Sequence, residues 1–244
     1  GSLFKQANIP DSVASTDAFI QNFWCVVICC CAKIPLIIVG PPGCSKTLSF
    51  TIAVDNLSSR KRQTAFFKRL PCLEPTRYQC TAQSTDKEIQ ERYEGAILRQ
   101  EQLVDQVDGG TECISVVFLD EAGLTEEIPM KVIHYYLDKP KVSTVILSNN
   151  MLDAAKMNRT LQLFQDDTKT SDLFYLARGS IFGRHEIKQQ EQQQIQGLVS
   201  AYKKTLQDET LRDSSRKDYS LFQLRDFILF LRFLRYCAHG STLH

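Results

Sequence analysis

The stretch GPPGCSKT, residues 40–47, lies between the apolar run IPLIIV and the helix-prone LSFTIAVDNL. A turn that joins a buried strand to a helix aims successive backbone N–H groups and the positive end of the helix dipole at one point, and an anion satisfies both. Gly40 and Gly43 permit the tight path, with Pro41, Pro42, Cys44 and Ser45 as the remaining loop residues around the phosphates. Lys46 is placed to reach β- and γ-phosphates, and Thr47 to hold Mg²⁺ through its hydroxyl. The chain departs from G-x-x-x-x-G-K-[ST] at one position, where Ser45 replaces glycine. A positive φ there would cost a side chain about 1 kcal/mol. The bland reading of the octapeptide is a structural turn.

Four further groups share the order expected of a site at one sheet edge. VVFLDE ends an apolar run with Asp120 and Glu121, at the strand end where such sheets bind ligands. Asp120 would help place Mg²⁺ and Glu121 would act as general base on water, against the alternative of two solvated acids. STVILSNN delivers Ser148 and Asn149 to the same edge, where a neutral amide orients water without competing for the metal. Arg159, in DAAKMNRTLQLF, is either an ordinary exposed arginine or a finger that reaches a neighbouring subunit's γ-phosphate. Arg225, in LFQLRDF, is either paired at the surface with Asp226 or folded back onto the β- and γ-phosphates. Leu48, with NIPDSV around Ile9, is the expected adenine pocket.

The elements that must carry these residues follow from the apolar pattern. A helix capped by Ser15 or Thr16 should run to about Ala32 and stop before Pro35. Short buried strands are expected at Leu36 to Val39, Arg77 to Cys80, Ile114 to Leu119, Ser143 to Leu147 and Leu161 to Phe164. Helical patterns between them, notably Thr85 to Gln106 and Met130 to Leu137, make this a doubly wound α/β sheet. Beyond residue 170 the texture becomes Gln-rich, charged and helix-favouring. The expected organisation is an α/β domain over 1–170 and a small all-α lid over 171–244, whose last helix is striped by Leu221, Leu224, Phe227, Ile228, Leu231 and Leu234.

Composition narrows the function. With 29 basic and 28 acidic residues among 244, no global field calls for nucleic acid or a membrane surface. The basic stretch from Arg60 to Arg69 reads as a solvated loop. Nine cysteines without paired metal-ligand spacing suit small apolar side chains in a reducing compartment, and Cys44 reads as a spacer. The longest apolar stretch, Phe23 to Val39, is interrupted by Lys33 and Pro35, so no membrane insertion is expected. Gly1 and Ser2 read as a cloning remnant with no signal pattern after them, and a cytoplasmic setting is the default. No guanine-reading N-K-x-D is present, which disfavours a GTPase.

Loop, carboxylate strand, amide strand, finger and lid arginine resemble, in this order, an AAA+ ATPase module, and the resemblance covers nearly the whole chain. It implies a P-loop NTPase fold with a five-stranded parallel sheet in the order 5-1-4-3-2, flanked by helices, plus a helical lid. KIPLIIVG, GPPGCSKTLS, FFKRLP, YQCTAQST, VVFLDEAGLTEE, VIHYYLD, LSNNMLDAAKMNR and LFQLRDF are similar to the AAA+ modules of the mysterin family, giant dynein-like E3 ubiquitin ligases with a RING finger. The serine before Lys46 also resembles that family. The resemblance implies ATP or ADP and Mg²⁺ as cofactors, with Lys46 and Thr47 for phosphate and metal, Asp120 and Glu121 for metal and water, Asn149 as first sensor and Arg225 as second. Arg159 fits less closely, because the common Arg-x-x-Arg run is RTLQ here. It implies neighbouring AAA+ modules and ubiquitin-ligase machinery as partners. No RING-like pattern occurs in this chain, so ligase activity is not expected from it. Two functions remain open: an ATP-hydrolysing module, or a module that holds nucleotide with little turnover.

Overall fold

Leu36–Val39 forms strand β1 with all four residues buried, as a continuous apolar run covered on both faces requires. The computed structural model describes residues 3–11, 13–58, 61, 64–105, 112–125, 127–166, 168–183, 185–208 and 223–239. Helix α1 (Asp17–Cys31) precedes β1, and α2 (Lys46–Leu57) and α3 (Ala65–Lys68) follow it. Then come β2 (Cys72–Gln79), α4 (Asp86–Asp105), β3 (Cys113–Asp120), α5 (Glu127–Met130), α6 (Ile133–Asp138), β4 (Ser143–Ser148), α7 (Ala154–Met157) and β5 (Leu161–Phe164). The last helices are α8 (Thr170–Phe182), α9 (Gln189–Gln207) and α10 (Leu224–His239). Among the described residues no helix is long and apolar enough to cross a membrane.

The five strands make one sheet in the order β2-β3-β4-β1-β5, every pair parallel, which is the expected 5-1-4-3-2 read from the other edge. Strand β2 begins at Cys72, five residues before the expected Arg77, and carries Glu74 and Pro75 within it. Proline lacks the N–H that an interior strand must donate on one side, but β2 is an edge strand paired only to β3. The expected helix from Met130 to Leu137 is two short helices, α5 and α6.

Both sheet faces are packed. On one, Ile37, Val39, Val117, Leu119 and Ile146 meet Ile89, Tyr93, Ile133, Tyr136 and Met157, with Tyr93 stacked on Tyr136 at 4.2 Å between ring centroids. From α2, Phe50 stacks on Phe118 of β3 at 3.8 Å, and Leu36 and Ile38 are wholly buried. The second of these faces fixes α2, and with it the loop that opens it, against the sheet.

The chain divides into two units, one of Gly1–Asn8 with Ala18–Asp167, the other of Ile9–Asp17 with Thr168–His244. In the second, Leu173, Ala177, Ile195, Val199, Tyr202, Leu224, Phe227 and Leu231 form the core, and Tyr202 stacks on Phe227 at 4.3 Å. Leu221 of the expected stripe lies outside the described residues, as do Arg60 and Arg62 of the basic stretch. Ala14 joins this unit against Gly179 of α8, where a Cβ would come within 3.1 Å of the Ala14 methyl.

In the α/β unit, the end of β1 depends on Gly40. A Cβ there would stand 2.6 Å from the Gln165 Cβ and 3.0 Å from its carbonyl oxygen, and the Gln165 backbone is tied to β1 through its N–H on the Val39 carbonyl. Gly40→Ala should therefore destabilise the α/β unit by roughly 1–3 kcal/mol, the usual cost of forced overpacking. Urea unfolding checks this: the midpoint falls while the slope is unchanged.

Candidate functional site

The loop leaves β1 at Gly40, whose N–H donates to the Ser148 carbonyl at 3.2 Å. It turns through Gly43 at φ 90° and Ser45 at φ 62°, and α2 starts at Lys46. Ser45 thus occupies the left-handed region that the missing glycine would favour, and its hydroxyl makes no cap bond that would repay the strain. The Ser45 carbonyl accepts from the Ser49 N–H at 2.9 Å and the Ser49 hydroxyl at 2.7 Å, so the first turn of the helix is held shut.

Lys46 is 8% exposed. Its ammonium donates to the Gly40 carbonyl at 2.6 Å, the Pro41 carbonyl at 3.0 Å and the Asn149 Oδ1 at 3.0 Å, with the Cys44 Sγ at 3.6 Å. All of these partners are neutral. Among the described residues no carboxylate lies within ion-pair distance of it, and the first turn of α2 holds no acid. A buried cation at the positive end of a helix without a countercharge makes the potential around it favourable to an anion. Burial pushes the Cys44 thiol up, against the opposing pull of Lys46, so Cys44 is a protonated spacer under the loop. Pro42 and Gly43 are exposed at the loop's crest.

Asp120 ends β3 beside the start of α2. The Thr47 hydroxyl donates to its Oδ2 at 3.0 Å, and the Glu121 N–H to its Oδ1 at 3.0 Å. One carboxylate and one hydroxyl are hard oxygen donors of the kind Mg²⁺ takes. Glu121 has left the strand, with a left-handed φ of 52°. There its Oε2 accepts from the Gln79 side-chain amide at 2.8 Å. Gln79 ends β2 in register with Asp120, so the sheet itself brings this amide to the acid.

The structure brings Gly40, Pro41, Cys44, Ser45, Lys46, Thr47, Asp120, Glu121 and Asn149 to one edge of the sheet. Ser148 is buried, and its hydroxyl bonds the Asn150 backbone instead of facing the loop. Gly123 makes room for it, since a Cβ there would lie 2.6 Å from the Ser148 Oγ. Arg159 is one-third exposed and engaged within its own chain, with Nε donating to Asp138 at 2.7 Å and a terminal nitrogen to the Ala155 carbonyl at 2.6 Å. Leu48 is exposed in the first turn of α2. Ile9 and Arg225 belong to the second unit, Ile9 buried and Arg225 exposed on α10. Asp226 caps the start of α10 by accepting from the Gln223 N–H at 2.9 Å, so the sequence alternative of an Arg225 to Asp226 pair is not formed.

Sequence reasoning missed three residues. Gln79 was unmarked because the expected strand around it ran on to Cys80, and nothing along the chain pairs it with Glu121, 42 positions later. Asn22 and Gln165 support the loop from beneath. The one available signal for Asn22 is an amide at a position of FIQNFWCVV that falls on the apolar stripe with Phe19, Phe23 and Val26.

Comparison with known proteins fits this geometry. The family model described as the RNF213 AAA domain matches residues 12–172. A Dictyostelium discoideum protein named as an uncharacterized transmembrane protein is 36% identical over 268 residues, covering 95% of this chain and 4% of its own length. The E3 ubiquitin-protein ligase RNF213 of Homo sapiens is 30% identical over 244 residues, covering 95% of this chain and 4% of that protein. The chain therefore spans about 4% of the length of these relatives. Among solved structures, Rhizobiales Trip13 is similar with a TM-score of 0.51 at 14% identity, covering 99% of this chain and 76% of that one, a likeness of fold.

Replacing the strained serine tests how the loop is held. Ser45→Gly removes left-handed strain of about 1 kcal/mol and gives part of it back through the more flexible unfolded chain. The unfolding midpoint should hold or rise slightly. A clear fall would mean that the hydroxyl supports the loop.

Proposed function

The chain belongs to the RNF213 AAA-domain family and is an AAA+ P-loop NTPase module of the mysterin type, and from this premise we propose that it binds and hydrolyses ATP as one module of a larger ligase machine. The observation that carries the reading is the buried, uncompensated Lys46 ammonium at the start of α2, one residue before the Thr47 to Asp120 hydrogen bond.

In this reading the Lys46 ammonium exchanges its bonds to the Gly40 and Pro41 carbonyls for β- and γ-phosphate oxygens, while the N–H groups of the loop and of α2 face the same oxygens. Such charge-assisted contacts are about twice as strong as the neutral ones they replace. Thr47 and Asp120 would hold Mg²⁺, and the ion when bound would supply neutralising charge for the phosphoryl group. Glu121 takes the proton of the attacking water, and Gln79 holds its carboxylate ready. Asn149, already on the Lys46 ammonium, orients the water or senses the γ-phosphate. Ile9 and Leu48 border the adenine. Arg159 leaves Asp138 to complete a neighbouring module's site, a cheap exchange because half-exposed ion pairs contribute little. Residues 171–244 act as the lid, with Arg225 reporting nucleotide state. The partners are neighbouring AAA+ modules, in one polypeptide or an oligomer, the ubiquitin-ligase machinery is reached through them, and the setting is cytoplasmic.

One observation favours the second reading, a module that holds nucleotide with little turnover. The Glu121 Oε2 already accepts from the Gln79 amide, so proton abstraction through that oxygen must first break this bond. Phosphate release by wild type and by Glu121→Gln at equal protein concentration separates the two. Hydrolysis predicts a loss of roughly 10²–10⁴-fold in the variant with nucleotide still bound, the usual span for a general base. Equal silence of both, with binding intact, leaves the holding module. Turnover per subunit should also rise with protein concentration, and Arg159→Ala should abolish that rise.

A further inference from the structure

Asn22 is a wholly buried amide on α1, whose neighbouring inward positions are Phe19, Phe23, Val26 and Val27. Among such neighbours an amide persists only if both of its ends are satisfied. Its Nδ2 donates to the Cys44 carbonyl at 3.2 Å, and its Oδ1 accepts from the Gln165 Nε2 at 2.9 Å. The orientation is fixed, because a carbonyl oxygen can only accept.

Gln165 is the first residue after β5. Its N–H donates to the Val39 carbonyl at 2.8 Å, its side-chain amide also faces the Gln21 Oε1 at 3.3 Å, and its Cβ fills the space that Gly40 leaves open. Both ends of the loop therefore rest on one residue. Gly40 touches Gln165 directly, and Cys44 reaches it through Asn22. Between these two supports the chain makes the Gly43 and Ser45 turns with positive φ, a conformation that a serine keeps only when its flanks are held.

We propose that Asn22 and Gln165 are positioning residues of the phosphate loop, a buried amide relay through which the C-terminal end of β5 sets the place of the Cys44 carbonyl. Polyphosphate binding and the placement of the segment after β5 are then coupled in both directions. The relay takes its ligand from the nucleotide reading above, but its geometry is independent of that reading.

Hydrogen exchange on the whole chain, followed by mass spectrometry at peptides spanning 40–50 and 161–166, tests it with Mg²⁺ and ATP as probe. Asn22→Asp keeps the shape and the acceptor for Gln165 but presents an acceptor to the Cys44 carbonyl. Gln165→Ala truncates a half-buried side chain and leaves the core intact, so it decides the matter if the first variant does not fold. Without nucleotide, each variant should speed loop exchange roughly five- to tenfold, the factor set by one net hydrogen bond. The double variant should add nothing more. With ATP, wild type should gain protection at both peptides, and Asn22→Asp at the loop alone. Unchanged loop exchange in Gln165→Ala, or effects that multiply in the double variant, overturns the relay. If the relay signature holds without nucleotide while ATP protects neither peptide of the wild type, the nucleotide reading fails and the relay stands.

Discussion

A single buried cation organises this site. Lys46, at 8% exposure, lies where the positive end of α2 already raises the potential, and its partners are three neutral oxygens and a thiol. Taking an ammonium out of water costs several kcal/mol unless it is well coordinated. The chain meets that requirement with backbone carbonyls from its own loop and an amide from the next strand. Each of these partners can be exchanged for a phosphate oxygen, which offers a full negative charge where they offer dipoles.

Strand order turns this local requirement into a site. Because β4 lies between β1 and β3, the ends of three parallel strands deliver Gly40, Asn149 and Asp120 side by side, and Gln79 follows at the end of β2. Parallel pairing puts all of these ends on one edge, and β1 is the point from which the chain winds outward in two directions. Phe50 on Phe118 locks α2 to the sheet, so Thr47 meets Asp120 across 73 positions of sequence. The amide relay under the loop complements this arrangement from the other flank, since it ties the loop to β5.

Legibility in the sequence followed the physics of each element. Strand β1 was readable to the residue because a short apolar run flanked by turn formers has one place to go, whereas β5, whose LQLF buries only Leu163, was found from its place in the order of elements. The start of β2 was not, since Glu74 and Pro75 are permitted only by an edge position, and edge or centre is decided by the whole sheet. Spacing singled out Lys46, Thr47, Asp120 and Glu121 as one set, and the structure brings them to one edge of the sheet. Ser45 was legible as a departure, whereas its positive φ is a property of the folded loop. The partner of Arg159 is Asp138, 21 positions earlier, and the partner of Asn22 is Gln165, 143 positions later, so no local pattern carries either.

In the proposed function the Lys46 ammonium receives the phosphates of a nucleotide. Calorimetric titration of wild type and Lys46→Met with ATP in the presence of Mg²⁺ tests it most directly. The account predicts saturable one-to-one binding by wild type, weakened at least tenfold in the variant while both remain folded. Equal affinity in the two proteins would contradict it.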